Sequence, residues 1–572
     1  MESARLRQSE LCQPVVVPSG KKCLAAATTL CQIAALVLFS GIPWRAGQGQ
    51  AEKTMAPGLE TKQNQQVVRL PGDTLVSFYL QSGEEGQVVV AKSSKDNGGT
   101  WSGLQTALRL PKETAAFKGL YSLVGNDGKV HLFFFNDSGI WYSMPGVSEA
   151  EWQVPRAIFK GYVGVLRSAL QLRSGRLVLP FYYGVKRDWW DGSEKGFDRF
   201  TYMGNYVTST LYSDDGGLTW QQSPEIIKIP TPSLNQNGAV DPVILEMKDG
   251  RIWMLIANQR GWLYEAFSKD GVAWSENRPS HFISAEAPAC LTRLKDGRIV
   301  LIWNSCLRFP YLHGGMYVLH AAISEDDGKT WRGYREIYRD PYRDEPEARG
   351  AGYGTGYPTA VGTADGRILV RTGQGKSETT LLLDPSWLYE TRQREDFSHG
   401  LEDWSVFGSK GVELIPNLGK LGAKALSIRK AETEWPAAAV WNFPAGKKGV
   451  VRVRLRLKKG FRGADLCLTD HFSVPFDPEA ELNSLYELSI PSDGKLGPSV
   501  RLEQDRSHNI SFQWDFAQRK CTVWVDGRQA LVLPQLKLTD SGANYLRLRA
   551  TAEQPGDAGF LVESLEADVS AR

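Results

Sequence analysis

The chain has 572 residues, 57 of them Gly and 18 Trp, with a formal charge of +3. That length implies more than one domain and ample core. Near neutrality at this size argues against a nucleic-acid or membrane-surface partner. The seven cysteines form no CxxC or Cys/His cluster, so no metal and no cofactor are expected.

The chain opens with a segment unlike the rest. Lys21 and Lys22 precede a mostly apolar run from Cys23 to Phe39, and small residues follow near Gly49, Gln50 and Ala51. This is the order of a cleaved secretory signal, assigned to residues 1–51, so a secreted or periplasmic location is expected. An uncleaved membrane anchor is the alternative reading, because the run is close to the length that spans a bilayer. Outside this segment lie Cys290, Cys306, Cys467 and Cys521. Two pairings, Cys290 with Cys306 and Cys467 with Cys521, stand equal with four buried thiols.

From about residue 66 two repeats run in step. One is Ser-x-Asp-x-Gly-x-Thr-Trp, found at Ser94–Trp101, Ser213–Trp220 and Ser324–Trp331, with a copy one residue shorter and lacking the Thr at Ser268–Trp274. Its physics is that of a hairpin turn, in which Asp bonds the turn backbone, Gly supplies positive φ and Trp caps the next strand. The other repeat is a Gly turn followed by an apolar strand, after Gly72-Asp73, Gly128, Gly175, Gly250, Gly297 and Gly366. These six units recur roughly every 50 to 75 residues, in the range of propeller repeats. The runs that follow are short and rich in β-branched and aromatic residues, which favours strands. Four strands in each of six units predict a six-bladed β-propeller over residues 52–393, closed on itself to leave few edges.

The repeats stop after Leu388, in the charged stretch Glu390–Asp396. Beyond it, strands such as Val450–Leu457 alternate apolar and polar residues, so one face is wet. Residues 394–572 are read as a second all-β unit, a two-sheet jelly roll that folds alone across a linker with few contacts. Trp441, Trp514 and Trp524 are either core residues or a flat sugar-binding face.

The Ser-x-Asp-x-Gly-x-Thr-Trp segments resemble the Asp-boxes of the sialidase (BNR-repeat) superfamily, from Gln66 to Glu390. The C-terminal unit resembles the concanavalin-like jelly rolls appended to such enzymes. The resemblance gives Asp96, Asp215, Asp270 and Asp326 a structural role, since the boxes of that superfamily lie in peripheral turns. It also implies a chemistry in which a Tyr activated by a carboxylate attacks the sugar, because the substrate's own carboxylate repels an acidic nucleophile. Arginines hold that carboxylate by bidentate hydrogen bonds, and a separate acid moves the proton.

Carried onto this sequence, the nucleophile matches Tyr357 in Gly354–Thr359, with Tyr353 as competitor, and its carboxylate partner matches Asp241. Asp241 stands where the resemblance calls for Glu and reaches roughly 1.5 Å less. Candidate substrate-binding arginines are Arg167, Arg260 and Arg371. The position aligned with one family arginine is Ala257, with Arg260 three residues on. The FRIP-type segment before the first strand is absent, Arg69-Leu70-Pro71 being a poor imitation. Glu84 and Glu85 occupy the loop where the acid/base Asp of the family sits.

The function implied is an exo-acting glycoside hydrolase working as a monomer on a glycan or oligosaccharide. Two alternatives stand beside it. One is a non-catalytic glycan-binding propeller, with Tyr182, Tyr183, Trp189 and Trp190 as a stacking platform. The other is a polysaccharide lyase whose base is a Tyr or one of His281, His313 and His320.

Overall fold

The computed structural model describes residues 66–570 apart from 85, 112–115, 147–150, 186–205, 231–236, 308–314, 344–353, 407–409 and 477–482. The leader, Glu85, Trp189, Trp190, His313 and Tyr353 lie outside the described residues. Among the described residues no helix is long and apolar enough to cross a membrane.

The N-terminal lobe is a succession of six antiparallel sheets in chain order, here called blades. They open with strands Gln66–Arg69, Gly119–Val124, Leu170–Gln171, Val240–Glu246, Cys290–Arg293 and Thr359–Gly362. Five blades have four strands, and the sixth has three described strands rather than the expected four. Apolar faces of neighbouring blades share cores. Phe133, Phe135, Leu179 and Phe181 join the second blade to the third, and Val67, Leu75, Leu369 and Leu382 join the first to the sixth. That last contact closes the ring of shared cores.

The repeated turns hold as their chemistry requires. In the first, Asp96 Oδ1 accepts from the Thr100 amide at 2.8 Å and the Ser94 hydroxyl at 2.8 Å, while Oδ2 accepts from the Thr100 hydroxyl at 2.7 Å. Asp215 and Asp326 repeat the pattern. Two successive residues turn left-handed in each, Asn97 with Gly98 and Asp327 with Gly328, which explains Asn, Asp or Gly followed by Gly. The shortened copy still closes, because Asp270 Oδ1 accepts from the Val272 and Ala273 amides at 2.9 and 3.0 Å.

The C-terminal lobe is a pair of sheets of eight and five strands around one apolar core. Strand Lys448–Leu457 shows the expected alternation. Val451, Val453, Leu455 and Leu457 point into that core, while Arg454 and Arg456 on the other face bind Glu563 at 2.8 and 3.1 Å. Trp441 and Trp514 are core residues and are not available as a sugar-binding face. The four cysteines outside the leader are free thiols, so the two pairings are not formed.

The expectation of few contacts between the lobes is corrected. Cys306, Tyr317 and Val318 of the propeller share an apolar cluster with Val440, Phe472, Val474, Phe476 and Tyr545 of the C-terminal lobe. Strands Cys306–Leu307 and Phe472–Ser473 pair in parallel across the junction. The charged stretch is no free linker either. Arg392–Glu395 adds to the edge of strand Gly559–Val569, and the buried Arg335 holds Glu390 and Gln393 at 2.9 Å each. Charge run and low apolar content suggested a solvated tether; cross-strand pairing and ion pairs hold it instead.

Candidate functional site

Antiparallel blades have two ends. The turns after the opening strands and the Asp-boxes lie at one end, because both follow an odd number of strand passes. The starts of the opening strands and the ends of the second strands lie at the other. Arg69 ends its strand at the Asp-box end, where its Nη1 donates to Gly362 O at 3.1 Å. The opposite end gathers Arg167, Asp241, Glu286 and Tyr357 from the starts of four blades, with Tyr182 and Arg371 from the ends of second strands.

Asp241 sits in the opening strand of the fourth blade, where the pairing slips between Val240 and Val243. Its φ of +47° is left-handed, and Pro242 follows. A bulge of this kind re-aims a side chain, and such strain persists only where surrounding structure imposes it. The result brings the Asp241 carboxylate onto Arg167, Nε to Oδ1 at 3.1 Å, with both side chains largely buried. Burial raises the Asp241 pKa above the usual value, and the Glu286 carboxylate adds to this; the Arg167 guanidinium opposes them without cancelling them.

The Arg167 guanidinium also lies 4.3 Å from the centre of the Tyr357 ring, a cation–π contact. Tyr357 has a φ of +62°, so both candidate catalytic residues occupy the strained region. Its loop is pinned on both sides. The Thr355 amide donates to Met316 O at 2.8 Å and the Gly373 amide to Gly356 O at 3.1 Å. A Cβ at Gly356 would stand 2.1 Å from Met316 Sδ, so Gly lets the Met316 side chain pack against this loop.

Tyr182 completes the group. Its ring packs on the Gly164 backbone, where an added Cβ would meet Cζ at 1.7 Å. Burial pushes its hydroxyl well above the ordinary phenol range, and the Asp241 carboxylate pushes it further. Arg371 lies 3.6 Å from Glu378, Nη2 to Oε2. Burial brings its pKa down to about 10, against the pull of Glu378. Glu286 is held by Asn237 Nδ2 at 2.6 Å and by Gln259 Nε2.

Of the arginines selected from the sequence, Arg167 and Arg371 join this group. Arg260 is exposed and donates instead to Pro230 O at 2.8 Å. Ala257 is buried at the end of its strand opposite Val240. Glu84 is exposed in the first-blade hairpin. Tyr183 packs with Phe159 and Phe181 and belongs to the core between blades. His281 packs against Phe282 with the rings tilted by 39°, and His320 lies buried in the junction between the lobes, bonded to Tyr545. The sequence reading missed Glu286 and Glu378; each follows no motif, although Glu286 stands just ahead of an opening strand as Tyr357 does. Among the described residues no three His, Cys, Asp or Glu side chains come together to hold a metal ion.

Residues 119–370 match the family described as BNR repeat-like domain. The matched stretch contains three of the four Asp-box turns, at Ser213–Trp220, Ser268–Trp274 and Ser324–Trp331, the segments by which the sequence resembles the sialidase (BNR-repeat) superfamily. Solved structures with some likeness include Trypanosoma rangeli sialidase in complex with 2,3-difluorosialic acid, at 12% identity and a TM-score of 0.39, covering 90% of this chain and 92% of that one. Hadza microbial sialidase Hz136 shows 14% identity and a TM-score of 0.39, over 57% of this chain and 66% of that one. These likenesses carry no residue's role to this chain. No curated protein sequence matches it.

Proposed function

We propose that the protein is a secreted glycoside hydrolase that removes a sugar from the non-reducing end of a glycan, with Tyr357 as nucleophile and Asp241 as its acid/base partner. One observation carries the reading: the Arg167 side chain bridges Asp241 and Tyr357, each on a left-handed backbone at the blade end opposite the Asp-boxes. A cation over the phenol ring favours the phenolate as attack begins, and a carboxyl whose pKa burial has raised is a stronger base toward the phenol proton than an exposed one.

The test is hydrolysis of a panel of aryl glycosides by the full chain and by Tyr357→Phe. Loss of the hydroxyl should lower kcat/KM by about 10² to 10⁴ with the thermal transition unchanged. Wild-type turnover that survives the substitution would remove Tyr357 from the chemistry. Absence of turnover on every glycoside would favour the second reading, a glycan-binding propeller. The presence of Ala257, where the resemblance calls for Arg, supports that second reading.

A further inference from the structure

The group of side chains at the blade starts contains its own counter-charges. Arg167 is paired with Asp241. Arg371 faces Glu378 at 3.6 Å, with both side chains largely buried. Glu286 adds a third carboxylate near enough to Asp241 to disfavour its ionisation. Two guanidinium groups therefore stand against three carboxylates among the described residues of the group. Arg260, the third arginine expected there, points elsewhere.

A substrate carboxylate entering this group would have to displace Asp241 from Arg167 or Glu378 from Arg371. Either exchange leaves a largely buried carboxylate without its cation, and the remaining Glu286 repels the newcomer. Sugar hydroxyls face the opposite situation. They donate to carboxylate oxygens, and these bonds are of the stronger, charge-assisted kind. The half-buried rings of Tyr182 and Tyr357 supply apolar faces for the C–H side of a sugar ring.

We propose that the site takes an uncharged, hydroxyl-rich sugar, a neutral hexoside or deoxyhexoside, and discriminates against sugars that carry a carboxylate. This rests on the site assigned under Proposed function and narrows its substrate class. The arginines then act as positioning residues that hold Asp241 and Glu378 for the sugar hydroxyls.

The experiment measures two things on the full chain with the same sugars: turnover of aryl glycosides, and binding of the free sugars by saturation-transfer NMR and calorimetry. The panel contains neutral hexosides and deoxyhexosides, a sialoside and a hexuronide. At least one neutral sugar should be preferred over both acidic ones by about tenfold or more, in turnover or in affinity. Glu378→Gln, which removes the negative charge facing Arg371 with little change of shape, should narrow or reverse that preference by raising affinity for the acidic sugars. Preference of the wild-type protein for the sialoside or the hexuronide overturns the proposal, as does failure to bind any neutral sugar. Binding of neutral sugars without turnover upholds the substrate class and removes the hydrolase reading, so the two failures are distinguishable.

Discussion

Replacing Tyr545 by Phe tests whether the two lobes unfold as one. Tyr545 belongs to the C-terminal lobe, yet its hydroxyl bonds two propeller residues, and all three groups are buried. His320 Nδ1 accepts the Ser305 amide at 3.2 Å, so the neutral ring carries its proton on Nε2. That proton is donated to Tyr545 Oη at 2.5 Å, and the Tyr545 hydroxyl donates to Glu336 Oε1. Glu336 is in turn paired with Arg339. Phe keeps the ring and its packing but removes both bonds. Loss of a hydrogen bond to a carboxylate costs about 1.5 to 3 kcal/mol, and a buried N–H left without an acceptor costs about 1 to 3 kcal/mol. The sum is about 2.5 to 6 kcal/mol. Urea unfolding followed by tryptophan fluorescence reads both lobes, since Trp303 and Trp441 are buried one in each. The wild type should show one transition, and the variant the same slope with a stability lower by that amount. A loss below about 1 kcal/mol, or two separate transitions with only one displaced, would refute the argument that this chain of bonds couples the lobes.

Deleting residues 394–572 exposes Cys306, Tyr317 and Val318 and leaves Glu336 without Tyr545, so the isolated propeller should be recovered as aggregate or with a lowered thermal transition; a soluble propeller of wild-type melting temperature would contradict this. Burial holds the His320 pKa down at about 3. The unfolded chain takes up that proton below the ordinary value near 6.5 while the folded one does not, so stability should fall between about pH 6.5 and 3, and His320→Gln should flatten that slope. Asp96 and Asp215 act in the same direction in a lower pH window. Hydrogen bonds from Thr100 and Thr219 lower each pKa to about 2, so their contribution is present above the usual carboxylate range and disappears as pH falls toward 2. At neutral pH, Asp326→Asn keeps one acceptor but cannot accept the Thr330 hydroxyl, and should lower stability by about 1 kcal/mol in the same urea assay.

The all-β class, the blade order and the turns were legible in the amino-acid sequence because their determinants are local. Every bond that closes an Asp-box spans four residues or fewer, so Ser94, Asp96, Gly98 and Thr100 must appear together in the chain. Tyr357 and Asp241 could be picked out as candidates from short segments at the starts of blades, and the structure sets both beside Arg167. What they do beside each other was not legible. The bond joining Arg167 to Asp241 crosses 74 residues, and nothing near Arg167 in sequence distinguishes it from Arg260, which the fold sends to Pro230. Glu286 and Glu378 carry no motif: Glu286 is held by Asn237 and Gln259 of the neighbouring blade, and Glu378 meets Arg371 across a turn of its own blade that matches none of the repeats. The same holds for the union of the lobes. His320 and Tyr545 lie 225 residues apart, and a charged stretch that looks like a tether becomes a strand once an unpaired sheet edge is beside it. Local hydrogen bonding writes its requirements into adjacent residues; burial and charge pairing are decided by whatever the closed ring and the docked lobe bring within a few ångströms.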